Sequence, residues 1–160
     1  MRILIDADGC PVTKNAIQIA DEFNIAIILF CDTSHNFNYE NAEIITVSKG
    51  SDSADFALVN SIISGDIVIT QDYGLSAMAL AKNAQIINQN GLIISNKNID
   101  TLLNTRHLSK KARISGKHLK GPAKRTAEQN KNFETVLRRI LNENINNTDS
   151  SNTMENSAKY

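Results

Sequence analysis

Apolar residues in this chain fall into short unbroken runs, separated by segments in which they recur every three or four positions. The runs are Ile3-Leu4-Ile5, Ile25 to Cys31, Ile44-Ile45-Thr46-Val47, Ile67-Val68-Ile69 and Ile86-Ile87. A continuous run such as Ile67 to Ile69 predicts a strand buried on both faces, as in parallel sheets lying under two layers of helices. Between the runs, Val12, Ala16, Ile19, Ala20 and Phe23 mark one face of a helix that Pro11 starts, since a missing N–H costs nothing in the first turn. Phe56 to Ile63, ended by Gly65, and Leu75 to Lys82 read as two more helices. Strands alternating with helix-length segments predict right-handed crossovers, and so a three-layer α/β/α sandwich around a mostly parallel five-stranded sheet. From Asn96 the character changes. Ile99 to Ala112 reads as a helix, and a last helix over about 127–145 packs through Phe133, Val136, Leu137, Ile140 and Leu141. The expected organisation is one domain over 1–145, with a basic helical appendage at about 98–145 and an Asn/Ser/Thr-rich tail at 146–160 that should be disordered.

Composition narrows this picture. A chain of 160 residues can bury a core without staples, and with 5% aromatics and no Trp that core must be Ile, Leu, Val and Ala. The formal charge of zero conceals an asymmetry: residues 1–100 carry a net −7 and residues 101–160 a net +7. An acidic site in one half and a polyanion-facing surface in the other would produce such a division. Cys10 and Cys31 make neither a disulfide framework nor a metal cluster with the three histidines, and read as reduced thiols in the cytoplasm. No apolar run approaches the roughly 20 residues that span a bilayer, and the start does not read as a signal peptide, so no membrane partner is expected.

The acids lie where the predicted strands end. Asp6 and Asp8 follow the first strand, Asp52 and Asp55 sit at the start of the second helix, and Asp72 lies just past Ile67 to Ile69. In open α/β sheets this carboxyl edge is where ligands bind. Carboxylates gathered there repel one another unless a cation sits among them, and hard oxygen donors favour Mg²⁺ or Mn²⁺. Such an ion would orient a water for in-line attack on phosphorus. Asp at strand ends and N-caps also serves purely structural ends, and Asp52 or Ser53 could simply cap a helix.

In the basic half, Arg106, Lys110, Lys111, Arg113, Lys117, Lys120, Lys124 and Arg125 are candidate contacts to a nucleic-acid backbone, RNA being the first expectation. With no aromatics among them, recognition should depend on shape and charge. His107 and His118 read as phosphate partners or surface residues, His35 as a turn residue, and Cys10 as packing, because Ala16 stands where a cysteine phosphatase needs Arg.

The stretches 6–11 (DADGCP), 50–55 (GSDSAD), 66–73 (DIVITQDY), Arg106 with 113–116 (RISG), and Gly121-Pro122 with Phe133 together resemble the YaiI/YqxD family of small bacterial proteins over about residues 1–141. That family is in turn similar to the PIN-like fold of nucleases. The resemblance implies a nuclease triad of Asp6, Asp55 and Asp72, joined by Asp8 and Asp52. The candidate catalytic acids are then Asp6, Asp8, Asp55 and Asp72, and the candidate metal ligands Asp6, Asp52, Asp55 and Asp72. This chain has Gly74 where related sequences tend to have Pro, and Asn88-Gln89-Asn90-Gly91 where they tend to have Asn-Pro-Arg-Gly. Two other readings stand beside a metal-dependent ribonuclease. One is a non-catalytic RNA-binding or ribosome-associated module; the other is a haloacid-dehalogenase-type phosphatase that would use Asp6 as nucleophile and Asp8 as acid. The sequence leaves the oligomeric state open.

Overall fold

The computed structural model describes residues 1–34, 37–48, 50, 52–114 and 124–157, without the side chains of 109–114 and 148–157. Its strands are β1 (Ile3–Asp6), β2 (Ile27–Asp32), β3 (Glu43–Val47), β4 (Ile67–Ile69), β5 (Gln85–Ile87) and β6 (Ile93–Ile94). Its helices are α1 (Thr13–Glu22), α2 (Ser53–Ser61), α3 (Tyr73–Ala81), α4 (Ile99–Ile114) and α5 (Ala127–Ser157). The strands form one sheet in the order β3-β2-β1-β4-β5-β6, parallel except for the antiparallel β5–β6 pair.

Alternate residues of each strand go to opposite faces, and this divides the core in two. Ile3, Ile5, Ile27, Leu29, Ile67, Ile69 and Ile87 pack under α1 and α5, which contribute Ala16, Ile19, Ala20, Phe133, Leu137, Ile140 and Leu141. Leu4, Ile28, Phe30, Val68, Ile86 and Ile94 pack under α2, α3 and α4, which contribute Leu58, Val59, Leu75, Ala79 and Ile99. The expected α/β/α sandwich is thus the observed one, and Ile3 to Ile5 of β1 and Ile67 to Ile69 of β4 are apolar at every position because both faces of these strands are covered. Among the described residues no helix is long and apolar enough to cross a membrane.

The structure corrects the sequence reading in the number of strands. The sheet has six strands, not five. β6 comes back along β5 through a turn in which the Asn88 N–H donates to the Leu92 carbonyl and Gly91 takes a φ of +84°. That turn is held against α5: the Arg125 guanidinium donates to Asn90 Oδ1 at 2.8 Å and to Asn130 Oδ1 at 2.6 Å, and a Cβ on Gly91 would come within 2.7 Å of Asn132 Nδ2. On the far side of that turn's anchor, α5 continues past position 145 to Ser157. Extending a helix already anchored through Phe133 to Leu141 requires only one further hydrogen bond per residue, with no new nucleus. On the outer side, Arg138 joins Glu22 of α1 at 2.8 Å and so braces α5 against α1.

The two edges of the sheet are built differently. The strand order reverses between β1 and β4, so the loops after them diverge and open a crevice at the carboxyl edge. At the opposite edge Asp66, only 1% exposed, accepts from the Arg2 backbone N–H at 2.9 Å, the Arg2 guanidinium at 2.6 Å and the Ile63 N–H at 3.0 Å.

Candidate functional site

The crevice is lined by the ends of β1 and β4. β1 brings Asp6 to its last position, half-buried, and β4 is followed by Thr70, Gln71 and Asp72. The buried Thr70 hydroxyl donates to Asp6 Oδ2 at 2.8 Å and accepts from the Asp72 N–H at 3.0 Å, so one side chain fixes both acids. Gln71 Nε2 donates to the Gly9 carbonyl at 3.3 Å and links the two loops.

Asp72 begins α3. Its Oδ1 accepts from the N–H groups of Gly74 and Leu75 at 2.6 and 3.1 Å, the pairing that an N-cap Asp supplies to otherwise unpartnered amides. A proline at position 74 could not give the first of these bonds. Asp72 Oδ2 pairs with Arg106 Nη1 of α4 at 2.7 Å.

The other acids are held differently. Asp55 lies in the first turn of α2, and Asp52 occupies the N-cap position in a left-handed conformation, φ 60° and ψ 14°, without a side-chain cap bond. Asp52 therefore stands just outside the helix that carries Asp55. Asp8 Oδ2 accepts from the Asp32 N–H at 3.1 Å and ties the β1–α1 loop to the end of β2.

Electrostatics shows how these groups sense one another. Burial pushes the Asp6 carboxyl up to about 6, against the pull of the Thr70 hydrogen bond, and Asp55, Asp8 and Asp72 add to the rise. Asp55 is also raised, first by burial and then by Asp72, Asp52 and Asp8. Asp72 goes the other way: burial pushes it up, but the Arg106 hydrogen bond and the Leu75 amide outweigh this and hold it below the usual carboxylate range. All five predicted acids thus lie within electrostatic reach of the same crevice. Among the described residues, however, no three His, Cys, Asp or Glu side chains are already drawn together closely enough to hold one ion.

The predicted basic contacts separate into groups. Arg106 is on Asp72, and Lys124 is exposed. Arg125 is half-buried and spends its guanidinium inside the fold, on Asn130, Asn90 and the Gln89 carbonyl. Lys110, Lys111 and Arg113 lie on α4 with side chains outside the described set, while Lys117 and Lys120, together with His35 and His118, lie outside the described residues. His107 is exposed on α4.

Sequence reasoning missed three polar groups at this edge: Asp32, Gln71 and the Thr70 hydroxyl. The signal for Thr70 was its place two residues before Asp72 after a buried strand. Thr70→Val is expected to cost about 1–2 kcal/mol, since it removes a buried hydroxyl and leaves the Asp72 N–H without its acceptor. Urea unfolding measures that loss, and NMR titration should find the Asp6 carboxyl higher still.

Comparison with known proteins places these residues in a wider set. Residues 4–143 match the family described as "Uncharacterized BCR, YaiI/YqxD family". The chain is 48% identical over 143 residues to a UPF0178 protein of Exiguobacterium sibiricum, covering 89% of this chain and 98% of the relative. It is 46% identical over 143 residues to a UPF0178 protein of Clostridium acetobutylicum, covering 88% and 97%, and 47% identical over 145 residues to one of Alkaliphilus oremlandii, covering 91% and 94%. No solved structure matches.

Proposed function

We propose that this chain, which belongs to the YaiI/YqxD family, is a metal-dependent phosphodiesterase that acts on nucleic acid, RNA before DNA, in the cytoplasm. The observation that supports this reading is that Asp6, Asp55 and Asp72 act on one another electrostatically, Asp6 and Asp72 following the two strands between which the order reverses, with Asp6 and Asp55 both disfavoured as anions. Crowded, half-buried carboxylates are costly without a counter-charge, and a cation is the counter-charge they suit. All the donors are hard oxygens, which fits Mg²⁺ or Mn²⁺. Asp6, Asp55 and Asp72 would hold the ion with Asp52 at the rim, their side chains drawing inward as it loads. Bound there, it would supply Lewis acidity and an activated water. The chain's own residues do the rest. Thr70 holds Asp6 in one orientation, Asp8 adds its negative charge beside Asp6 and Asp55 as the fourth candidate catalytic acid, and Arg106 and Lys124 meet the phosphates. Cys10 and Cys31, both free thiols, are in keeping with a reducing compartment.

The test is calorimetric titration of Mn²⁺ into the wild type, Asp6→Asn and Asp72→Asn, followed by incubation with short RNAs. Binding by the wild type at micromolar to low millimolar metal, lost in both variants, with RNA cleaved in Mn²⁺ and intact in chelator, is the expected result. No heat at millimolar metal refutes it.

One observation favours a second reading, a non-catalytic RNA-binding module: Asp72 already has both oxygens engaged, one as helix cap and one by Arg106. RNA retained equally in chelator, and never cut, would select that reading. The phosphatase reading has less support, because Asp8, its general acid, is tied by one oxygen to the Asp32 N–H.

A further inference from the structure

The ion pair between Arg106 and Asp72 carries an inference that rests on the phosphodiesterase reading and goes beyond it. Asp72 has two oxygens, and they do different work. Oδ1 is committed to the amides of Gly74 and Leu75 at the start of α3. Oδ2 is the oxygen left for a cation, and Arg106 Nη1 is on it at 2.7 Å. The acidic crevice therefore already accepts a positive charge, drawn from the chain itself.

The sequence explains how the guanidinium arrives there. In α4, Ile99 is buried and Leu102 and Leu103 pack against the face of the sheet that α3 covers. Arg106 follows Leu102 and Leu103 by four and three positions, so it continues the same helix face one turn onward. At that point α4 reaches the first turn of α3, where Asp72 stands. The contact is made at the rim: the Arg106 side chain is 56% exposed and that of Asp72 33%. Ion pairs this open to water are weak and exchange readily.

We propose that Arg106 is a built-in counter-ion of the acidic edge, occupying the Asp72 oxygen that a divalent cation takes and passing to a phosphate of the substrate once that cation has displaced it. The guanidinium fork suits both positions, since it pairs with carboxylate and with phosphate through the same two-pronged geometry. Before loading, Arg106 neutralises Asp72. After loading, it stands beside the ion with a positive charge to spare, where a phosphodiester would lie. A divalent cation can displace it because the ion answers Asp6 and Asp55 together with Asp72, whereas Arg106 answers Asp72. A monovalent cation has no such advantage and should not compete.

The test compares Mn²⁺ affinity by calorimetry for the wild type, Arg106→Gln and Arg106→Lys at one ionic strength, with circular dichroism to verify folding. Arg106→Gln should bind Mn²⁺ about threefold more tightly or better, as expected for removal of a rim ion pair that competes for one ligand, and Arg106→Lys should stay near the wild type. A merely structural tether between α4 and α3 would not raise metal affinity when removed. In the wild type, saturation with Mg²⁺ should also move the Arg106 side-chain NMR signal, whereas K⁺ should not. Mn²⁺ binding that is equal or weaker in Arg106→Gln, or an Arg106 signal that stays fixed while Mg²⁺ binds, overturns this proposal and leaves the phosphodiesterase reading intact. Failure of both wild type and Arg106→Gln to bind metal overturns the two together.

Discussion

Asp66→Ala is expected to destabilise the protein by about 2–4 kcal/mol, as follows from removing a buried carboxylate and leaving its hydrogen-bond donors without an acceptor. Asp66 is 1% exposed and accepts from two backbone N–H groups and from the Arg2 guanidinium, which also donates to the Ser61 carbonyl at 2.7 Å. Without the carboxylate those donors lose their acceptor at the amino edge of β1 and β4, where the sheet begins. For a domain of this size the melting temperature should fall by on the order of 10 °C. The effect has a pH signature. Burial pushes the Asp66 carboxyl up, but the bonds from Arg2 and Ile63 outweigh it and hold the group below its ordinary value. The stabilisation is therefore complete above the unfolded carboxylate range and is lost as pH falls through the lower folded value. Melting curves of wild type and variant should be farthest apart near neutrality and converge in strong acid.

Asp6→Asn should act in the opposite direction. In chelator at pH 7 it is expected to stabilise the protein by on the order of 2 kcal/mol, because each unit by which a folded carboxyl is raised corresponds to about 1.4 kcal/mol of strain in the charged form. Asp6 is pushed up to about 6, so the folded state favours its protonated form. Its penalty is absent below the unfolded value of about 4 and grows as pH rises towards 6, after which it is constant. The variant keeps an oxygen to accept from Thr70 and loses the charge. Thermal melts from pH 4 to pH 8 should show the gain appear across that window. A variant no more stable than the wild type at pH 7 would mean that water or a counter-ion already relieves Asp6. If the acids hold a metal, saturating Mg²⁺ should reverse the order, stabilising the wild type and not the variant.

Much of this architecture is legible in the chain because its central strands are buried on both sides. Ile3 to Ile5 and Ile67 to Ile69 had to be apolar at every position, and an unbroken run next to an Asp is hard to mistake. β6 is only Ile93 and Ile94, too short for a period, and is set by the Asn88–Leu92 turn and its docking on α5. The acids could be assigned to one edge because strand ends define that edge. Their individual attachments could not be read, since Asp8 finds the Asp32 amide and Asp72 finds Arg106 only after distant segments have met. Charge counting over 106–125 was similarly blind to partners. Arg125 contributes to the same basic run as Lys124, yet one holds a turn and the other is exposed.

The arrangement of α5 has a consequence for synthesis. One face of the sheet around Ile67, Ile69 and Ile87 is closed by Phe133, Leu137, Ile140 and Leu141, which are made after all six strands. While the chain is emerging from the exit tunnel, that face has only α1 as cover. The nascent protein must therefore carry an open apolar surface until the last helix is released, and a chain stopped before Phe133 would present a sticky sheet in place of a finished domain.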